Sequence, residues 1–145
     1  MSHKIKIGIL GCANIAKRFL IPAIKNHNSF ELSGIASRSS DMAISFADNF
    51  QTKAFYDYES LVKSNLDAVY IPLPNGLHYK WIKEALNHNL HVLVEKSLAC
   101  NFDQITELNK LAKSKDLVLI ENFQFRFHKQ LKLIHEKINE GCIGE

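Results

Sequence analysis

Short runs rich in β-branched residues alternate along this chain with segments whose apolar residues recur at helical spacing, and this alternation limits the fold more than any other feature. The runs fall at residues 5–10, 30–36, 53–55, 68–71, 91–95 and 117–122. The helical stripes are Ala43/Phe46/Ala47/Phe50, Trp81/Ile82/Ala85/Leu86, Ile105/Leu108/Leu111/Ala112 and Leu131/Ile134/Ile138, each read as a core-facing side. Strand, helix, strand at this rhythm requires right-handed crossovers and a parallel sheet covered on both faces. The expected fold is α/β: a doubly wound parallel sheet of the Rossmann type, strand order 3-2-1-4-5-6. Asn101 followed by Gln104 has the form of a capping box with Asn in place of Ser or Thr, and Gly141 has the form of a helix terminator. Pro22 should bend or shorten the first helix, because it lacks an amide hydrogen.

At 145 residues a single domain buries roughly 68–70% of its unfolded surface and needs no disulfide or metal to fold. The 18 Lys and Arg against 15 Asp and Glu leave a formal charge of +3 without any basic run, which argues against a nucleic-acid partner. No apolar run is long enough to span a membrane, and Met1-Ser2-His3-Lys4 leads into a strand pattern rather than a signal-peptide core, so the expected location is cytoplasmic. Cys12, Cys100 and Cys142 suit reduced thiols in a reducing compartment. The seven histidines form no zinc signature, and His88 and His91 straddle a helix end and a strand start; no metal site is expected.

The segment Ile7-Gly8-Ile9-Leu10-Gly11-Cys12-Ala13-Asn14-Ile15-Ala16 leaves the first strand and enters a helix, where a dinucleotide fold places its phosphate loop. The three fingerprint positions hold Gly11, Ala13 and Ala16, a degenerate version of the motif that an ordinary strand-to-helix turn could also carry. Amides of Ala13, Asn14 and Ile15 would meet a pyrophosphate at the positive end of the helix, with Gly11 and Cys12 forming the turn. At the end of the second strand, where a carboxylate would hold the ribose hydroxyls of NAD, the chain reads Ser37-Arg38-Ser39-Ser40. A hydroxyl and a guanidinium bind a 2′-phosphate that a carboxylate would repel, so NADP(H) is expected and NAD less so.

With that loop, Asp67-Ala68-Val69-Tyr70-Ile71-Pro72-Leu73-Pro74-Asn75-Gly76-Leu77-His78 and His91-Val92-Leu93-Val94-Glu95-Lys96-Ser97-Leu98 resemble the amino-terminal domain of the Gfo/Idh/MocA oxidoreductases over essentially the whole chain. More narrowly, residues 11–16, 72–78 and 121–125 resemble the branch that includes NDP-hexose 3-ketoreductases, and dihydrodiol dehydrogenase-like members share parts of the pattern. The resemblance implies hydride transfer to or from a sugar-like ketone or alcohol, carried on a nucleotide in that branch. It places Lys96 at the nicotinamide and substrate, where an ammonium can stabilise or protonate the oxygen on which charge develops. Glu95 would orient or tune it. Leu73, Pro74, Asn75 and His78 would lie along the cofactor, Tyr58 on its adenosine side, and Asn122 near cofactor and substrate. Arg18, Arg126 and His128 would face the substrate. Ser97 departs from the family, which has proline there, commonly after a cis bond.

The resemblance also divides the chain. Residues 1–122 read as the dinucleotide-binding domain, and 123–145 as a crossover helix opening a carboxyl-terminal substrate domain that these residues do not contain. A homo-oligomer is among the partners so implied. The competing reading is a non-catalytic dinucleotide-binding remnant or interaction module.

Overall fold

The computed structural model describes residues 4–142 and 144. Its centre is a parallel sheet built from β1 (Ile5–Leu10), β2 (Phe30–Ala36), β3 (Ala54–Phe55), β4 (Ala68–Ile71), β5 (His91–Val94) and β6 (Leu119–Glu121), in the order β3-β2-β1-β4-β5-β6. This is the expected doubly wound topology. The outer strands are shorter than the sequence pattern, because each has only one neighbour to pair with. Lys53 gives only its carbonyl to Ile35, and the Leu117 amide is taken by the Ala112 carbonyl at the preceding helix end.

Helices α1 (Ile21–Lys25), α2 (Ser40–Phe50), α3 (Tyr58–Val62), α4 (Asn75–Asn87), α5 (Phe102–Ser114) and α6 (Lys129–Asn139) connect or follow the strands. One layer packs Leu61, Ile82, Leu86 and Leu108 against Leu10, Ile71 and Val94; the opposite layer packs Ala16, Ile21 and Phe46 against Ile9, Ile35 and Tyr70. The stripes of α2, α4 and α5 supply these layers. The fourth stripe departs from expectation. Ile134 and Ile138 of α6 are exposed and Leu131 only half-covered, because among the described residues no sheet or helix layer lies against that helix. The sheet face bearing Ile7, Leu93 and Ile120 is similarly open, forming an apolar trough of about 530 Å³ with Ile24 and Phe30.

The local signals resolve into specific bonds. Ahead of Pro22 the chain forms a π-helical turn, Ala16–Leu20, in which Ile21 donates to the Ala16 carbonyl. The wider turn makes room for a proline ring that would strike the carbonyl four residues back in a regular helix. Asn101 caps α5 through the Gln104 amide (3.0 Å), and Gln104 returns its side chain to the Cys100 amide, one residue before the position a capping box uses. Gly141, at φ 76°, ends α6 as anticipated: its amide reaches Ile138 and the Cys142 amide reaches Lys137. Asn89 and Asp116 end α4 and α5 in the same left-handed way, with no glycine to announce it. Among the described residues no helix is long and apolar enough to cross a membrane.

Candidate active site

Parallel strands deliver all their carboxyl ends to one rim, and the order reverses between β1 and β4, the point at which open α/β sheets place a ligand crevice. The loop after β1 lies at that point. Gly11 adopts φ +109°, and a Cβ built there would lie 2.8 Å from Leu73 Cδ2, so both conformation and close approach call for glycine. Asn14 and Ile15 begin the helix, with Asn14 exposed. Burial pushes the Cys12 thiol above its ordinary value, opposed by a hydrogen bond with Ser37. The thiol therefore stays protonated at neutral pH, donating toward the Met42 carbonyl at 3.5 Å.

The loop after β2 lies beside it. Ser37 accepts from the Ser39 amide, and Ser39 in turn caps α2 through Met42. Arg38 is exposed, next to Tyr58. Burial raises the Tyr58 phenol, and the neighbouring guanidinium draws it partly back. With Leu77, Lys80 and Trp81 these residues line a cleft of about 300 Å³, and Tyr58 meets Trp81 edge to face at 5.1 Å. Two carboxylates also border the cleft, but both are engaged: Asp57 caps α3 through the Ser60 amide at 2.7 Å, and Glu59 pairs with Lys63. Arg38 and Lys80 make no ion pair with a described carboxylate.

Across the crevice, Glu95 and Lys96 follow β5. Lys96 is exposed and forms no ion pair with a described carboxylate. The Lys96-Ser97 peptide is cis. Glu95 turns away from Lys96: its Oε1 accepts from the Tyr70 hydroxyl at 2.5 Å and from Asn122 Nδ2 at 2.7 Å. Asn122 thus spends its amide on Glu95. Leu73 is buried, Pro74 and Asn75 are exposed, and His78 is wholly buried beneath them with both ring nitrogens facing carbonyls. That ring has no polar atom left to offer the crevice.

Residues assigned to the substrate are more scattered. Arg18 is exposed and stacks at 5.4 Å over Phe19. Arg126 lies in the 3-10 turn Gln124–Phe127, and His128 caps α6 by accepting the Gln130 amide at Nδ1. Neither is brought to Lys96 by a described contact. Among the described residues no cluster of three or more His, Cys, Asp or Glu side chains could hold a metal ion.

Sequence reasoning missed Tyr70, although a buried hydroxyl in a central strand must find a partner. Its phenol lies far above the ordinary range, first through burial and then through the Glu95 hydrogen bond. Because the folded phenol titrates higher than the unfolded one, its contribution to stability is complete below about pH 10 and is lost as the pH rises further. Tyr70→Phe should cost about 1.5–3 kcal/mol at neutral pH. It should also flatten the decline in stability between about pH 9 and 11, near the free phenol's ordinary pKa. Urea unfolding of both proteins across that interval checks the expectation; parallel pH profiles would contradict it.

Comparison with known proteins bears on the same residues. The model of an oxidoreductase family with an NAD-binding Rossmann fold matches residues 5–123. A dTDP-3,4-didehydro-2,6-dideoxy-alpha-D-glucose 3-reductase of Actinomadura kijaniata is 39% identical over 99% of this chain and 44% of its own length. A D-xylose 1-dehydrogenase (NADP(+)) of Haloferax volcanii is 41% identical over 83% of this chain and 38% of its own. The crystal structure of KijD10, a 3-ketoreductase from Actinomadura kijaniata in complex with TDP-benzene and NADP, superposes with a TM-score of 0.94 at 39% identity, covering 99% of this chain and 46% of that one. The chain therefore spans less than half the length of these relatives.

Proposed function

The chain belongs to the Gfo/Idh/MocA oxidoreductase family, and from that footing we propose that it is the NADP(H)-binding part of an enzyme that moves hydride to or from a sugar-like ketone or alcohol carried on a nucleotide. One observation supports the reading: the glycine turn at Gly11, the loop at Ser37 and Arg38, and the exposed Lys96 all follow the carboxyl ends of strands in one parallel sheet whose order reverses between β1 and β4. The complex of KijD10 with TDP-benzene and NADP, and the NADP(+) in the name of the Haloferax relative, support the same assignment.

The residues fit a dinucleotide. Gly11, at φ +109°, makes the tight turn after β1, and the amides of Ala13, Asn14 and Ile15 beyond it would meet a pyrophosphate. Arg38 and Ser37 would hold the 2′-phosphate, and Tyr58 with Trp81 would flank the adenosine. When bound, the nicotinamide supplies or accepts the hydride. Lys96 holds an ammonium at the carbonyl oxygen, stabilising the charge that develops there and delivering the proton. Glu95, fixed by Tyr70 and Asn122, anchors the chain just ahead of Lys96. Leu73 and Pro74 would lie along the cofactor.

The division at residue 122, with a crossover into a substrate domain from 123, belongs to the same proposal. Its support is the uncovered apolar side of α6. Arg18, Arg126 and His128 would then meet substrate only once further elements enclose the crevice, and self-association of complete subunits is read the same way. Calorimetry with NADPH and NADH tests the binding half directly. The 145-residue chain should bind NADPH more tightly while turning over little sugar substrate, since positioning the substrate contributes roughly 7–11 kcal/mol to such reactions. Equal affinity for the two cofactors, or no binding of either, would defeat the reading.

A further inference from the structure

Two loops follow the carboxyl ends of β4 and β5, the proline loop at Leu73 and Pro74 and the loop at Lys96 and Ser97, and one buried side chain touches both. His78 sits in the first turns of α4 with no exposed surface. Its Nε2 lies 2.6 Å from the Leu73 carbonyl oxygen and its Nδ1 2.7 Å from the Ser97 carbonyl oxygen. Carbonyl oxygens only accept, so a ring nitrogen bonds its carbonyl where it carries hydrogen, and the ring packs between the two carbonyls in either tautomer. Leu73 in turn packs against the Gly11 turn, and the Leu98 amide just beyond Ser97 is held by Glu121 at 2.9 Å. The chain of contacts runs from phosphate turn to proline loop to imidazole to lysine loop.

We propose that His78 is a positioning residue, a hydrogen-bonded crosslink that fixes the Lys96 loop relative to the proline loop at Leu73 and Pro74. The functional meaning rests on the reading of Lys96 given above, but the crosslink is a property of the folded chain and can be tested without turnover. Asparagine places its amide nitrogen where imidazole has Nδ1, and glutamine where it has Nε2. His78→Asn therefore keeps the bond to Ser97 alone, and His78→Gln the bond to Leu73 alone.

Backbone 15N relaxation on the wild-type chain and both variants reads the consequence. In wild type the amides of Leu73, Asn75, Ser97 and Leu98 should have order parameters near the rigid value of about 0.85. His78→Gln should lower Ser97 and Leu98 toward about 0.6 and leave Leu73 and Asn75 in place, and His78→Asn should do the reverse. Both loops staying rigid in both variants, or loosening together in each, would make His78 a packing residue and overturn the proposal. A second measurement does not depend on the variants folding: scalar coupling across the hydrogen bonds, from the wild-type His78 ring nitrogens to the 13C carbonyls of Leu73 and Ser97. Coupling to at least one of the two carbonyls is expected, and coupling to neither overturns the crosslink. A wild-type chain that shows the coupling yet fails to bind NADPH would instead defeat the functional reading and leave the crosslink standing.

Discussion

In a form of the protein that turns over substrate, Lys96→Met should slow hydride transfer by about 10²- to 10⁴-fold, the range supplied by one well-placed acid or charge donor. NADPH affinity should change little by comparison. The expectation follows from where the lysine stands: it leaves the carboxyl end of an interior strand, is exposed, and forms no ion pair with a described carboxylate. Its neighbour Glu95 points its carboxylate at Tyr70 and Asn122, so the ammonium is not neutralised by the residue beside it. Methionine keeps the apolar stem and removes only the charge and the proton. Single-turnover loss of NADPH absorbance separates the chemical step from binding. An unchanged rate would remove Lys96 from the chemistry.

Arg38→Ala should weaken NADPH binding by about 1.5–3 kcal/mol, roughly tenfold to more than a hundredfold, and leave NADH binding nearly as it was. The guanidinium lies beside Tyr58 in a cleft whose two carboxylates are already held by Ser60 and Lys63. It is thus free for a phosphate and is not spent on an internal pair. Calorimetry with both cofactors at fixed ionic strength is the measurement, since an exposed charge is screened by salt. Equal NADPH affinity in wild type and variant would sink the assignment.

How much of this could be read in the sequence divides along physical lines. The interior strands were legible because parallel strands buried on both faces are nearly continuous runs of Ile, Val and Leu, and their rhythm sets the topology. The ends of β3 and β6 were not, since an edge residue pairs only where its single neighbour reaches. The stripe on α6 has the same pattern as those on α2 and α5, but pattern reports an apolar side and not what lies against it. In the crevice, Gly11, Arg38 and Lys96 announced themselves by type and place. The pairing of Tyr70 with Glu95 and Asn122 did not, because it joins residues on β4, β5 and the end of β6 that only the fold brings together. His78 was legible as a position; its burial between two carbonyls was not.

The seam between β1 and β4 has a kinetic consequence. It joins Ile7 to Ala68, Gly8 to Val69 and Ile9 to Tyr70, whereas the flanking pairs on either side join strands closer in sequence. Closing so long a stretch costs entropy before any contact rewards it, so this pairing belongs late in folding. A dinucleotide bound as proposed would reach across that seam, its phosphates on the loops after β1 and β2 and its nicotinamide beside Lys96 after β5. It would then hold together the pairing that closes late, and its stabilisation is expected chiefly as slower unfolding.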